Sequence, residues 1–96
     1  MYVKVHKSGD RIIIAICDKN LIGKKIKTKD LEINITERFY KGEELSEQEI
    51  LKLLKEAENI NILGQKSIDF AIKHKIIKKS SVIFIKNVPH AQIYNV

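Results

Sequence analysis

The sequence predicts an α+β domain: an N-terminal antiparallel three-stranded portion, two helices, and C-terminal strands that join the same mixed sheet. Three observations carry this. The runs at 11–17 and 82–85 are apolar on both pleat faces, as strands covered above and below are. Residues 2–7 and 31–39 alternate apolar with polar side chains, the period of a strand with one wet face. Residues 45–50 hold a complete helix-start signal. At 96 residues the chain is read as one domain over residues 1–96, large enough to bury on the order of 65% of its unfolded surface.

Each element follows in turn. Val3 and Val5 share one face of the first strand, with Tyr2, Lys4 and His6 on the other. Ser8-Gly9-Asp10 turns the chain into the strand from Arg11 to Cys17. A basic connector with Lys24, Lys25, Lys27 and Lys29 holds one apolar anchor, Ile26. Leu31, Ile33, Ile35 and Phe39 share a parity and predict a third strand, closed by Tyr40-Lys41-Gly42. Ser46 then serves as N-cap, Glu49 as its capping-box partner, and Leu45 with Ile50 as the hydrophobic staple. Ile50, Leu53, Leu54 and Ala57 form the buried stripe of the helix at 46–58.

Residues 60–63 fit either a short strand or a helical face shared by Ile60, Leu63, Ser67, Ile68, Ala71 and Ile72. The strand is preferred, followed by a helix over 65–75. With the strand at 82–85 this makes a parallel crossover unit. A doubly apolar strand at 82–85 is expected mid-sheet. Val88-Pro89, the chain's single proline, is expected to turn the chain before residues 90–94 resume in extended form.

Composition narrows the function classes. The single cysteine, Cys17, ends an apolar run and reads as a buried, inert thiol. The N-terminus alternates instead of showing a charged start and an apolar block, so no signal peptide is expected. The longest apolar run falls far short of the ~20 residues of a membrane span. A soluble cytoplasmic protein without a membrane partner is expected. Net charge is +6, with twelve acidic residues against eighteen basic ones. Six of those acids lie in residues 43–58, which leaves a basic surface elsewhere.

Catalytic and metal motifs find little support. Gly64-Gln65-Lys66-Ser67 lacks the direct Gly-Lys-Ser succession of a phosphate loop, and Asn59 stands where its upstream glycine belongs. Gly64 can still let an anion approach the free amides at a helix start, helped by Lys66. His6, His74, His90 and Cys17 are not spaced as ligands on one element, so neither metal nor cofactor is expected. His90, Gln92 and Tyr94 share one strand face and set imidazole, amide and phenol side by side. That combination suits an exposed base or a polar peptide.

The tail Val88-Pro89-His90-Ala91-Gln92-Ile93 resembles the end of the small archaeal proteins grouped as domain-of-unknown-function family 424. The likeness extends over essentially the whole chain, through Tyr2-Val-Lys-Val5, Phe39-Tyr40 with Gly42, and Gly64 followed by Ile68, Ala71 and Ile72. Lys41 and Asn87 stand where the family usually has glycine. The resemblance implies an archaeal cytoplasmic protein that binds RNA and is connected with translation, and it supplies no catalytic residues.

The leading expectation is therefore a non-catalytic RNA-binding or ribonucleoprotein-associated module. Its candidate contacts are Lys24, Lys25, Lys27, Lys29, Asn61, Gly64, Lys66, His90, Gln92 and Tyr94. Because the central strands are apolar on both faces, recognition is expected at the sheet's rim and on the lysine loops. A protein-protein adaptor docking through the acidic helix at 46–58 is the alternative, and a small enzyme centred on His90 is the third. No residue pattern specifies an oligomeric state.

Overall fold

The computed structural model describes residues 1–94; Asn95 and Val96, the end of the alternating tail, lie outside them. Strand β1 (Tyr2–Ser8) and strand β2 (Arg11–Cys17) form the expected hairpin, with Val3 opposite Ile16 and Val5 opposite Ile14. A 3-10 turn at Lys19–Leu21 leads to β3 (Lys25–Lys27), which pairs antiparallel with β4 (Glu32–Asn34). Helix α1 (Glu37–Tyr40) follows, then β5 (Glu43–Glu44) and helix α2 (Glu47–Leu54). Strand β6 (Asn59–Leu63), helix α3 (Gln65–Lys73), a 3-10 turn at Lys79–Ser81, β7 (Ile83–Ile85) and β8 (Val88–Tyr94) complete the described chain.

Six strands form one mixed sheet in the order β5-β1-β2-β6-β8-β7. β2 and β6 run parallel, and the other neighbouring pairs are antiparallel. This is the expected α+β class with one mixed sheet. Residues 60–63 are strand, as preferred. The third N-terminal strand is different: residues 32–34 belong to a separate two-stranded ribbon, and the place beside β1 goes to β5. Local chemistry explains the switch. Thr36 Oγ1 accepts a hydrogen bond from the Phe39 amide and starts α1, which ends the extended run. Gly42 then passes so close to β1 that a Cβ there would stand 2.0 Å from the Val3 carbonyl oxygen.

The strand at 82–85 also departs from expectation. β7 is an edge strand, with Ile83 56% and Phe84 65% exposed. The cause is the connection that follows it. Lys86 and Asn87 both take positive φ, +45° and +66°, the pattern of a two-residue type I′ turn. That turn folds β8 straight back, so β8 lies between β7 and β6. The crossover from β6 through α3 to β7 thus joins parallel strands that are not neighbours; the adjacent parallel pair is β2 with β6.

Proline does not turn the chain. Pro89 sits within β8, opposite Phe84 and one residue past the last β6 partner pair, Leu63 with His90. Its carbonyl accepts from the Gly64 amide at 2.9 Å, and its missing N–H falls where the β6 ladder has already ended.

Helices α2 and α3 cover one face of the sheet. Ile50 and Leu54 from α2 and Ile68, Phe70 and Ala71 from α3 pack with Val3, Ile14, Ile16, Ile60, Ile62 and Ala91. The predicted capping box starts α2: the Glu49 amide donates to Ser46 Oγ at 3.2 Å, and the Ser46 amide to Glu49 Oε1 at 3.1 Å. On the opposite face the ribbon, α1 and the first 3-10 turn bring Leu21, Ile26, Ile35 and Tyr40 over Ala15, Cys17, Leu63 and Ile85. This second layer covers only part of its face.

Candidate functional site

The strand register arranges the second face in rows that cross the sheet. In one row Tyr2, Cys17, Leu63, His90 and Ile83 stand side by side. In the next come Lys4, Ala15, Asn61 and Gln92, and then His6, Ile13, Asn59 and Tyr94. The alternation of a strand sends these residues to one side and Ile14, Ile16, Ile60, Ile62 and Ile93 to the helices. Cys17, Leu63 and Ala15 are covered. Beyond them the face opens: Asn59, Asn61 and Ile13 are half-buried, Gln92 is exposed, and Tyr94 is 65% exposed. The expected double shielding therefore fails over Asn59, Asn61, Gln92 and Ile13, because the ribbon and α1 are too short to reach across the sheet.

Asn61 is the fixed point of this patch. Its Oδ1 accepts from the Tyr40 hydroxyl and from His90 Nε2, both at 3.3 Å. His90 must donate there, so its Nε2 carries a proton. Burial favours the neutral form, holding the His90 pKa below the usual histidine range. It also raises the Tyr40 phenol to about 12, so this group stays a donor. With its oxygen engaged twice, the group Asn61 retains for a ligand is its –NH2. Asn59 Oδ1 and His90 Nδ1 are buried without a protein partner among the described residues, one in the row on each side of Asn61.

At the far side of β1, His6 stacks on Phe39 with ring centroids 4.5 Å apart, and its Nε2 lies 2.8 Å from the Phe39 carbonyl oxygen. Lys4, His6, Thr36, Arg38 and Phe39 line a cleft of about 360 Å3. Two cations thus border the patch on one side. On the other, Tyr94 offers an accessible ring.

Gly64 and Lys66 do not join this group, and the free amides expected at the α3 start are taken. Asp18, 6% exposed, accepts from the Lys66 amide at 3.0 Å, the Ser67 amide at 2.8 Å and Ser67 Oγ at 2.7 Å. The chain's own carboxylate occupies the anion position at that helix start. Gly64 has φ +109°, and a Cβ there would lie 2.3 Å from Asp18 Cγ. Its glycine identity serves this cap.

Lys24, Lys25, Lys27 and Lys29 are exposed on the ribbon and its turn. Ile26 anchors the ribbon to the second face as expected, and Lys25 pairs with Glu32 at 3.3 Å. Part of the acidity of α2 is engaged within the chain. Glu47 Oε1 lies 3.7 Å from Lys73 Nζ and 3.4 Å from His74 Nε2, and Glu49 closes the capping box. Among the described residues no group of three or more His, Cys, Asp and Glu is placed to hold a metal ion. No helix among them is long and apolar enough to cross a membrane.

Asn61, His90, Gln92 and Tyr94 are thus brought together, while Lys4, Arg38, Tyr40 and Asn59 were missed. The alternation Asn59-Ile-Asn61-Ile was a usable signal for Asn59. Tyr40 was marked only by the family likeness at Phe39-Tyr40.

A family model described as "Protein of unknown function (DUF424)" matches residues 6–96. The chain is also similar to a solved structure described as "Crystal structure of an uncharacterized conserved protein from Methanopyrus kandleri". The two share 26% sequence identity and a TM-score of 0.86, over 99% of this chain and 90% of that one. No curated protein matches.

Proposed function

The chain belongs to DUF424, a family of proteins of unknown function, and from that footing we propose that it is a non-catalytic, cytoplasmic RNA-binding module, associated with ribonucleoprotein or translation. Single-stranded RNA lies across the open part of the second sheet face. The observation that carries this reading is the side-by-side placement of three carboxamides, Asn59, Asn61 and Gln92, next to the exposed ring of Tyr94. Single-stranded bases are recognised by hydrogen bonds to their edges and by stacking on aromatic side chains. Carboxamides supply both donors and acceptors for the first task, and Tyr94 supplies the second.

Phosphates run toward the cations that border the patch. Lys4 and Arg38 flank it at β1, and Lys24, Lys25, Lys27 and Lys29 are exposed on the ribbon, which packs on the same face through Ile26. His90 holds Asn61 in register and has no need to titrate for binding.

Binding to total cellular RNA, followed against salt, tests the reading. If four phosphates are neutralised, affinity falls roughly fifty-fold between 50 and 200 mM salt, using a slope of about 0.7 per phosphate. Tyr94→Ala weakens binding by about 1–3 kcal/mol if a base stacks there. Absence of affinity in low salt, or wild-type binding by a Gln92→Ala/Tyr94→Ala double variant, overturns the proposal.

A further inference from the structure

The sheet has a second exposed feature that the carboxamide patch does not use, the free edge of β7. Ladder alternation fixes which backbone groups it offers. Ile85 and Val88 close the two-residue turn and so form a hydrogen-bonded pair, as do Ile83 and His90 two residues on. Phe84, between them, directs its N–H and C=O away from β8. The C=O of Val82 and the N–H of Lys86 point the same way, giving four backbone groups in line for an added antiparallel strand. Ile83 and Phe84 are the large apolar side chains on this edge, 56% and 65% exposed on opposite faces. Edge strands are usually protected from pairing by charges in the strand or by a covering segment. Here the strand itself is Ile-Phe-Ile.

Charge selects the occupant. Residues 70–96 contain five lysines and no aspartate or glutamate. Lys78 and Lys79 lead into β7, Lys86 follows it, and all three are exposed. β8, which packs against β7, carries no charged residue. A second copy pairing antiparallel through the same edge would bring each copy's Lys86 toward the Lys78-Lys79 end of the other, which like-charge repulsion disfavours. We propose that β7 docks an extended acidic peptide segment of a partner protein by β-strand addition. Its apolar residues cover Ile83 and Phe84, and its flanking carboxylates pair with Lys78, Lys79 and Lys86.

The test uses the whole chain and a fluorescein-labelled probe, Asp-Glu-Val-Phe-Val-Asp-Glu, with a control in which lysine replaces each acid. The acidic probe is expected to bind and the lysine control to bind at least about tenfold more weakly. Hydrogen exchange at the Phe84 and Lys86 amides slows when the probe is bound. Phe84→Pro removes the outward N–H without breaking the β8 ladder, and it abolishes binding. Phe84→Leu, which keeps the backbone donor and an apolar side chain, retains it, and an unfolding midpoint of Phe84→Pro close to that of wild type separates loss of the edge from a general loss of folding; a folded Phe84→Pro variant that still binds overturns the proposal. No binding by the probe at about 1 mM in low salt, equal binding by the lysine control, or protection away from β7 each overturns the proposal. So does concentration-dependent dimerisation of the unliganded chain that Phe84→Pro abolishes, because the occupant is then a second copy.

Discussion

The Asp18 carboxylate fills the space where a side chain at residue 64 would go. A Cβ on Gly64 would meet Asp18 Cγ at 2.3 Å and Oδ2 at 2.6 Å, while the same carboxylate takes the Lys66 and Ser67 amides and the Ser67 hydroxyl. The end of β2 is thereby tied to the start of α3, across 48 and 49 residues of sequence. Gly64→Ala should destabilise the fold by more than about 1 kcal/mol, from its left-handed φ and the clash together. Asp18→Ala should cost on the order of 2 kcal/mol, since it leaves the buried Ser67 donors unpaired. Measured by denaturant unfolding, the two costs should not add. Removing the carboxylate relieves the Cγ and Oδ2 part of the clash and leaves the Asp18 Cβ at 2.7 Å, giving a coupling of about 0.5–3 kcal/mol.

His90 predicts a pH dependence. Its pKa is lowered in the folded state by burial, so between that value and the ordinary ~6.5 the unfolded chain binds more protons than the folded one. The contribution is fully present above ~6.5 and is lost as pH falls through the folded pKa. Comparing unfolding curves for wild type and His90→Gln isolates it. The difference in stability between them should be flat above pH 7 and change as the medium is acidified from ~6.5.

Cys17 lies at the end of β2 with no solvent exposure, and burial is the first cause that raises its thiol pKa to about 12, with the Asp18 charge adding to it. The thiolate is the reactive form. A thiol reagent at pH 8 should therefore leave the native protein unlabelled and modify Cys17 only at the rate of global unfolding. Mass spectrometry across a denaturant series checks this. Rapid labelling in native buffer would show that the β2 end opens locally.

The α2 start should behave as a local unit. Ser46→Ala removes the acceptor for the Glu49 amide and should cost roughly 1 kcal/mol. Loss of Glu49, the reciprocal partner of the box, should cost less in the Ser46→Ala background than in wild type, as a double-mutant cycle on unfolding free energies would reveal.

Some of this was written locally. Ser46 and Glu49 are three residues apart, so helix geometry alone brings them together. Val3 and Val5 face away from Lys4 and His6 because strand side chains alternate. The same alternation put His90, Gln92 and Tyr94 on one face before any partner strand was known. Pattern at this range also settled the hairpin at Gly9 and the burial of Cys17.

Position within the sheet was not local. Ile83-Phe84-Ile85 has the apolar run of a central strand, yet its shelter depends on what lies beside it, and a two-residue turn put β8 on its inner side and left the outer side free. Asp18 became a helix cap, and Asn61 became the acceptor for Tyr40 and His90, through contacts between segments distant in the chain. The sequence by itself determined most of the helical and extended segments and the faces they present, since those follow from neighbours a few residues away, though residues 37–40, expected in the third strand, form α1. Only the tertiary structure decided which faces stay open, because burial is conferred by strands and helices whose order no local period encodes.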